Sequence, residues 1–255
     1  MSLWDSQKLT LMTAADFRFK QFSINHKECA MKVTTDGILL GAWCQLHQAK
    51  NVIDIGTGSG LIALMLAQKV EQTSTNCHIV AVELDRQAAN QALDNFKQSP
   101  WPSTVSLLQG DICQLTQTSL KDEKFDLIVS NPPYFSNSLH SDNESKNHAR
   151  HNHQLTFDKL LLSAQQLAGE HASLYLILPC NEAQALLLIA ERYKWFLSEH
   201  VLVSTVKGKV PSRSLLRFNN SKVDKSIIKD IYIRDQNNTY SKAYADICKD
   251  YYLKM

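Results

Sequence analysis

Residues 51–60 read NVIDIGTGSG and decide the fold. The first five letters form a short apolar run that predicts a buried strand, and a glycine cluster ends it. A helical pattern follows at about residues 59–70, where leucine, methionine and alanine recur near a 3.6-residue period. A strand, a glycine-rich turn and a helix predict the first half of a βαβ unit. In such units ligands bind beyond the carboxyl ends of the parallel strands.

The same alternation continues along the chain. Further strands are predicted at residues 78–82, 105–108, 125–129 and 173–178, and helices at 86–98, 157–168 and 182–193. Gly169 is expected to stop the helix before it. Two later runs, 201–205 and 215–218, predict a closing antiparallel pair. The pattern predicts an α/β fold with a seven-stranded, mostly parallel sheet and helices on both faces.

Length and composition exclude several classes of protein. The chain has 255 residues, of which 44% are hydrophobic and 20% charged, as expected for a globular domain with its own core. No apolar run reaches the ~20 residues that span a bilayer, and the start lacks the pattern of a signal peptide. Six scattered cysteines without a C-x-x-C pair predict reduced core thiols. We therefore expect a cytoplasmic protein.

The formal net charge is only +2, so charge alone does not indicate a nucleic-acid partner. Such a partner would require a local basic face.

Acidic residues lie at or near the ends of three successive predicted strands. Asp54 lies in the first strand, Glu83 ends the second, and Asp111 follows the third. A carboxylate in the position of Glu83 can accept both hydroxyls of a ribose, and one in the position of Asp111 can accept the amine of an adenine. Three acids in this order favour a nucleoside-containing cofactor over a solvated surface.

The glycine turn allows the backbone to approach that ligand closely. Its glycines are Gly56, Gly58 and Gly60. Taken alone, the turn is weak evidence, because a tight βα connection that binds nothing is the alternative. NAD is the second cofactor considered, but the dinucleotide pattern requires a glycine where this chain has Leu61.

The tetrapeptide Asn131-Pro132-Pro133-Tyr134 follows the strand predicted at 125–129 and is the most specific signal in the chain. Its prolines remove two backbone donors, so the Asn131 oxygen and the Pro132 carbonyl form a rim of acceptors. Tyr134 offers a flat face for stacking a planar group. Two acceptors can bind both hydrogens of an exocyclic amine and point its lone pair at a methyl donor. The alternative is a proline-rich turn with a packed tyrosine.

The acids and the glycine turn resemble the class I methyltransferase pattern over about residues 51–178. This resemblance implies a Rossmann-like fold and S-adenosylmethionine as cofactor. The tetrapeptide resembles that of amino-group methyltransferases acting on adenine, guanine or glutamine amide. With residues 17–43 and the tail around 238–241, the chain resembles the bacterial tRNA(Val) adenine-37 N6-methyltransferases. That family methylates the adenosine beside the anticodon of a valine tRNA. The resemblance is weakest at residues 207–230.

The resemblance implies catalytic roles for the tetrapeptide and predicts a set of cofactor-binding residues. That set is Thr35, Asp54, Gly56, Gly58, Gly60, Glu83, Leu84, Asp111, Ile112 and Asn131. No metal site is expected. The family places residues 34–36 near the methionyl group, whereas simple capping of a helix at 36–43 by Asp36 is the alternative.

We expect one methyltransferase domain over residues 1–255. An amino-terminal segment, residues 1–45, would cover the cofactor and substrate cleft of a catalytic core at residues 46–255.

Basic residues in several regions are candidates for RNA contacts. They are Arg18, Lys20, Lys32, Lys146, Arg150, Lys209 and Arg213. Phosphate contacts from such side chains would raise affinity without reading sequence. The loops that carry them are equally compatible with ordinary solvated surface, and the histidines of residues 136–153 match no zinc signature.

Two other functions stay open at this level. A glutamine-amide methyltransferase acting on a protein would share the acceptor rim of residues 131–134. A cofactor-binding module without catalysis would not need that rim, so the intact tetrapeptide argues against it. The sequence does not predict the oligomeric state.

Overall fold

A computed structural model of the protein describes residues 16–73, 76–133 and 155–255. The described strands are β1 (Asp16–Arg18), β2 (Ser23–Asn25), β3 (Asn51–Ile55), β4 (His78–Glu83), β5 (Val105–Gln109), β6 (Phe125–Ser130), β7 (Ala168–Pro179), β8 (Phe196–Val206), β9 (Arg213–Asn219) and β10 (Ile227–Arg234). The described helices are α1 (Thr35–Trp43), α2 (Leu61–Thr73), α3 (Arg86–Gln98), α4 (Ile112–Leu115), α5 (Phe157–Leu167), α6 (Cys180–Ala190) and α7 (Lys242–Cys248), with a 3-10 turn at Glu191–Tyr193.

Eight of these strands form one sheet in the order β10-β8-β9-β7-β6-β3-β4-β5. Strand β9 runs antiparallel to its neighbours β7 and β8, and every other pairing in the sheet is parallel. The parallel strands therefore place their carboxyl ends along one edge, which we call the carboxyl edge. The predicted mostly parallel sheet and the antiparallel pair of β8 and β9 are confirmed.

Apolar side chains cover both faces of the sheet. Alternate residues of β3 enter different cores: Val52 packs with helices α1 and α2, whereas Ile53 and Ile55 pack with α5 and α6. A strand buried on both faces needs apolar residues at successive positions, which explains the continuous apolar run in the sequence. The predicted sheet with helices on both faces is confirmed.

The sheet differs from the prediction by one strand. Residues 227–234 form β10 and pair in parallel with β8 at the edge of the sheet. Their sequence IIKDIYIR is rich in isoleucine and typical of a strand, so the prediction missed a signal that was present. Its first four residues are exposed and the others only partly buried, as expected at a sheet edge.

Two predicted helix boundaries were wrong. Gly169 does not stop a helix, because α5 ends at Leu167 and strand β7 begins directly at Ala168. Helix α1 is capped by Thr34 and not by Asp36: the Thr34 hydroxyl accepts a 3.2 Å hydrogen bond from the Gly37 amide. Asp36 lies in the first helical turn, where a negative charge is favourable.

The described part of the amino-terminal segment packs on the core. Phe19, Phe22 and Ile24 are buried in the same apolar cluster as helices α1 and α2. Asn25 exchanges backbone hydrogen bonds with the Asn95 side chain of α3, at 2.8 and 3.0 Å. These contacts hold residues 16–25 beside α3, and the proposed division at residue 45 stays a prediction.

All six cysteines are free, four of them buried, as predicted. No helix among the described residues is long and apolar enough to cross a bilayer. The described residues contain no cluster of three metal-ligating side chains.

Candidate active site

The glycine turn after β3 lies at the carboxyl edge. Gly56, Gly58 and Gly60 all have positive φ angles, at 75°, 57° and 83°, which L side chains rarely adopt. A Cβ atom on Gly56 or Gly58 would meet no atom within 4 Å, so the backbone at these two positions is open to a ligand.

Gly60 has a different role. A Cβ atom there would lie 2.3 Å from the ring of Phe96, which packs helix α3 against the turn. Close packing between the turn and α3 therefore requires a glycine at this position, and a role for Gly60 in cofactor binding stays a prediction.

Asp54 lies beneath this turn and is fully buried. Its Oδ2 accepts a 2.6 Å hydrogen bond from the Thr57 hydroxyl, and its Oδ1 is buried without a partner among the described residues. Burial raises the pKa of Asp54 to about 7, although the bond from Thr57 opposes this shift. A buried carboxylate with an unused oxygen favours a cationic group nearby, such as the ammonium of a methionine moiety.

Glu83 and Asp111 occupy the next two strand ends. Glu83 accepts the Gly58 amide at 2.8 Å and the Asp85 amide at 2.9 Å, which ties the end of β4 to the glycine turn. Asp111 caps α4 by accepting the Cys113 amide at 2.9 Å. Each carboxylate oxygen has two acceptor sites, so both groups keep acceptors for hydroxyl or amine donors.

The predicted apolar neighbours of these acids differ in exposure. Leu84 is 46% exposed directly after Glu83, and Ile112 is buried directly after Asp111. An exposed leucine beside a ribose-binding acid suits the flat face of an adenine. The open glycine backbone and the ordered acids together fit S-adenosylmethionine.

Asn131 follows β6 at the same edge. The preceding Ser130 is fully buried, and its hydroxyl donates a 2.7 Å hydrogen bond to the Ile55 carbonyl at the end of β3. This bond fixes the start of the tetrapeptide beside the glycine turn. Asn131 is partly buried, and its Nδ2 lies 4.0 Å from the position of a Cβ on Gly37 in helix α1. Tyr134, the last residue of the tetrapeptide, lies outside the described residues.

Helix α1 begins beside Asn131, because the position of a Cβ on Gly37 lies 4.0 Å from the Asn131 amide nitrogen. Thr35 is exposed at its first position, and the predicted candidate Lys32 is exposed in the loop before it. Asp36 forms an ion pair with Arg213 at 2.7 Å, between groups 177 residues apart in sequence. The pair ties the start of β9 to the first turn of α1.

The remaining RNA candidates lie in separate places. Arg18 is exposed in β1, and Lys20 donates from its Nζ to the Lys249 carbonyl near the carboxyl terminus. Lys209 is exposed in the turn between β8 and β9. Lys146 and Arg150 lie outside the described residues. The structure thus brings Lys32, Lys209 and Arg213 to the carboxyl edge, while Arg18 and Lys20 lie beside the terminal helix.

Comparison with known proteins identifies the family. Residues 46–236 match the model of a methyltransferase domain. A tRNA1(Val) (adenine(37)-N6)-methyltransferase of Phocaeicola vulgatus is 43% identical over 94% of this chain and 98% of its own. A protein with the same name from Pseudoalteromonas translucida is 42% identical over 94% of this chain and 99% of its own. The chain belongs to the tRNA1(Val) (adenine(37)-N6)-methyltransferase family. It is an S-adenosylmethionine-dependent methyltransferase.

Solved structures agree on the fold of this methyltransferase. A crystal structure of a predicted O-methyltransferase from Agrobacterium tumefaciens aligns with a TM-score of 0.64, at 17% identity, over 85% of this chain and 96% of that one. A Listeria monocytogenes protein assigned to the class I S-adenosylmethionine-dependent methyltransferases aligns with a TM-score of 0.55, at 11% identity, over 76% of this chain and 62% of that one. The Rossmann-like class I fold is confirmed.

Sequence reasoning missed three contacts that build this methyltransferase site. Thr57, the bond from Ser130 to Ile55, and the pair of Asp36 with Arg213 were not singled out. Thr57 stands within the glycine turn three residues after Asp54, so its spacing could have indicated the contact. The other two join residues 75 and 177 positions apart, and local patterns carry no signal for them.

Proposed function

We propose that this chain transfers a methyl group to N6 of adenosine 37, beside the anticodon of a valine tRNA. The observation that carries the proposal is the position of Asn131, which the bond from Ser130 to Ile55 holds beside the glycine turn. Relatives that bear this activity in their names are 41–43% identical over 93–94% of the chain. We expect the reaction to take place in the cytoplasm.

The chain's own residues would act by positioning. S-adenosylmethionine supplies an electrophilic methyl group on a sulfonium centre. The Asn131 oxygen and the Pro132 carbonyl accept the two amine hydrogens of the adenine, which draws the nitrogen toward tetrahedral geometry. The same oxygens would stabilise the positive charge that develops on this nitrogen. As the bond from carbon to sulfur breaks, S-adenosylhomocysteine would leave and the charged nitrogen would lose one proton to water, so no strong general base is needed.

Other residues would hold the two reactants. Asp54, Glu83 and Asp111 take the polar groups of the cofactor, and Leu84 covers its adenine. Tyr134 stacks on the target base from the position directly after Pro133. This stacking role is a sequence-based prediction.

Nucleoside analysis tests the proposal. The protein is incubated with labelled S-adenosylmethionine and an unmodified transcript of valine tRNA, and the digested RNA is analysed by mass spectrometry. We expect one N6-methyladenosine per molecule, mapped to position 37. A transcript with guanosine at position 37 serves as the matched control and should accept no label.

Two results would contradict the proposal. Label confined to glutamine amides of an added protein would favour the protein methyltransferase. Cofactor binding without transfer to any RNA would favour a non-catalytic module.

A further inference from the structure

The carboxyl edge extends well beyond the cofactor site. From β6 it passes over β7, β9 and β8 to β10, and β8 and β10 end at this edge because they run in the same direction as β7. The turn from β8 to β9 and the end of β10 carry four cations. These are Lys207, Lys209, Arg213 and Arg234.

Arg234 is fixed by two contacts at the end of β10. Its guanidinium carbon lies 4.1 Å from the centroid of the Tyr240 ring, and its Nη1 donates a 2.6 Å hydrogen bond to the Asn238 carbonyl. Tyr240 is 37% exposed and packs in turn on Tyr244 and Tyr252, with centroids 5.3 and 6.3 Å away. The planar guanidinium is therefore held on an aromatic cluster that opens to solvent.

Two lysines connect this pair to the catalytic side of the edge. The Lys207 amide donates to the Arg234 carbonyl at 2.9 Å, and its Nζ lies 5.9 Å from the centroid of the Tyr232 ring. Lys209 is exposed two residues further on. Four cations face two acids here, which leaves a net positive charge: Asp36 pairs with Arg213 at 2.7 Å, and the pKa of Asp235 is lowered by the hydrogen bonds from Thr239 and by the charge of Lys207.

We propose that this stretch of the carboxyl edge binds the substrate RNA beside the target adenine, and that an unpaired base stacks on Arg234. The inference rests on the proposed function and names residues that hold its substrate. Four strand spacings separate β6 from β10, which is about 19 Å at ~4.8 Å each. An RNA loop whose adenine lies at Asn131 can therefore lie across β7 and β9 and reach Arg234.

The combination of groups favours single-stranded RNA as the occupant. Exposed lysines neutralise phosphates without reading sequence. Guanidinium planes and aromatic rings stack on unpaired bases, which a duplex keeps inside its own stack. The edge is continuous with the tetrapeptide that takes the target base, so one loop can occupy both.

Equilibrium binding of the anticodon stem-loop of valine tRNA tests this inference. The wild type, the double variant Lys207→Gln/Lys209→Gln, Arg234→Lys and Arg234→Gln are compared by fluorescence anisotropy over a series of salt concentrations. The double variant should reduce the slope of log affinity against log salt by about two, one for each lost phosphate contact. Arg234→Lys keeps the charge but not the planar face, and should weaken binding by about tenfold with little change in slope.

Lys121→Gln is the matched control. Lys121 is an exposed lysine before β6, on the opposite edge of the sheet, and its replacement should leave both affinity and slope unchanged. Affinity for S-adenosylhomocysteine should match the wild type in every variant, and thermal melts should show each variant fully folded at the assay temperature, which separates RNA binding from folding.

The outcomes separate this inference from the proposed function. If the wild type methylates the RNA but the double variant and Arg234→Lys bind it like the wild type, the inference is wrong and the proposed function stands. If only Arg234→Gln weakens binding, charge acts there and the stacking role is wrong. If the wild type neither binds nor methylates RNA, the proposed function fails, and the inference fails with it.

Discussion

The two halves of the carboxyl edge carry opposite charges. Over β3, β4 and β5 the side chains are mainly acidic, and over β9, β8 and β10 they are mainly basic, where the acids are Asp235 and Asp36, the partner of Arg213. The acidic half holds Asp54, Glu83, Asp85 and Asp111, and the basic half holds Lys207, Lys209, Arg213 and Arg234. Asn131 lies between them at the end of β6.

This division explains why the net charge of +2 is a poor guide to function. Carboxylates accept hydroxyl and amine donors of a cofactor, whereas lysines and arginines neutralise the phosphates of an RNA. The opposite charges of the two halves cancel in the net charge of the chain, but each half still attracts its own ligand locally. The reaction would take place at the boundary, where both ligands meet.

The largest effect is expected at that boundary. Asn131→Ala should lower the single-turnover rate of methylation by roughly two or more orders of magnitude, because its oxygen gains most when the amine becomes tetrahedral and positive. The affinity for tRNA should change much less, since phosphate contacts dominate it. Rapid-quench assays with saturating RNA measure the rate. An equal loss in affinity and none in rate would place Asn131 in RNA binding.

Asp54 should show opposite effects on ligand binding and stability. Asp54→Asn removes a negative charge near the cofactor and should weaken S-adenosylhomocysteine binding by roughly tenfold to a hundredfold, as measured by calorimetry. The folded-state pKa of Asp54 is about 7, against 3.8 for the ordinary side chain. The folded protein therefore holds this proton more tightly, and the contribution of Asp54 to the free energy of unfolding falls as the pH rises from about 4 to about 7.

The variant lacks this loss of stability. In urea unfolding without ligand, the free energy of unfolding of Asp54→Asn relative to the wild type should therefore be higher at pH 8 than at pH 5. Glu83→Gln is the control, because Glu83 is only partly buried and both its oxygens have partners. It should weaken cofactor binding without this gain. If the stability difference for Asp54→Asn is the same at both pH values, a raised pKa for Asp54 is wrong.

Tyr134 should act through its ring. Tyr134→Phe keeps the ring and should retain most activity, whereas Tyr134→Ala should lose ~1–3 kcal/mol of stacking, which is about 5-fold to 150-fold in single-turnover rate. One assay of both variants decides the point. Equal damage in the two would show that the hydroxyl matters and the stacking face does not.

The smallest effect is expected at the helix cap. Thr34→Ala removes the acceptor for the Gly37 amide and should lower the free energy of unfolding by about 1 kcal/mol. Thr34→Ser keeps the hydroxyl and should behave like the wild type in the same urea titration. Equal stability of all three proteins would mean that the cap contributes nothing to α1.

The acidic half could be predicted from the sequence because its signals are local. The strand, the turn and the first acid lie within residues 51–60, and the later acids each lie at the end of a recognisable strand. A strand buried on both faces imposes an apolar run that is visible without the structure. The fold and the order of these residues follow directly.

The basic half was predicted only in part: Lys209 and Arg213 were named as RNA candidates from the sequence, whereas Arg234 was not. Strand β10 has an isoleucine-rich sequence, but local sequence does not show that it pairs in parallel with β8, so the residues at its end were not expected beside the site. The partners Arg213 and Asp36 meet only through tertiary packing. Gly169 was misread because β7 follows α5 without a connecting turn. Burial and long-range pairing decide these features, and local sequence patterns do not reveal either of them.

Hydrogen–deuterium exchange tests the division of the carboxyl edge most directly. S-adenosylhomocysteine and the anticodon stem-loop of valine tRNA are added separately to the wild-type protein. The cofactor product should slow exchange at residues 56–60, 83–85 and 110–113, and the RNA should slow it at residues 207–213 and 232–240. Protection of the first set by RNA alone, or of the second set by the cofactor product, would contradict the assignment of the two halves.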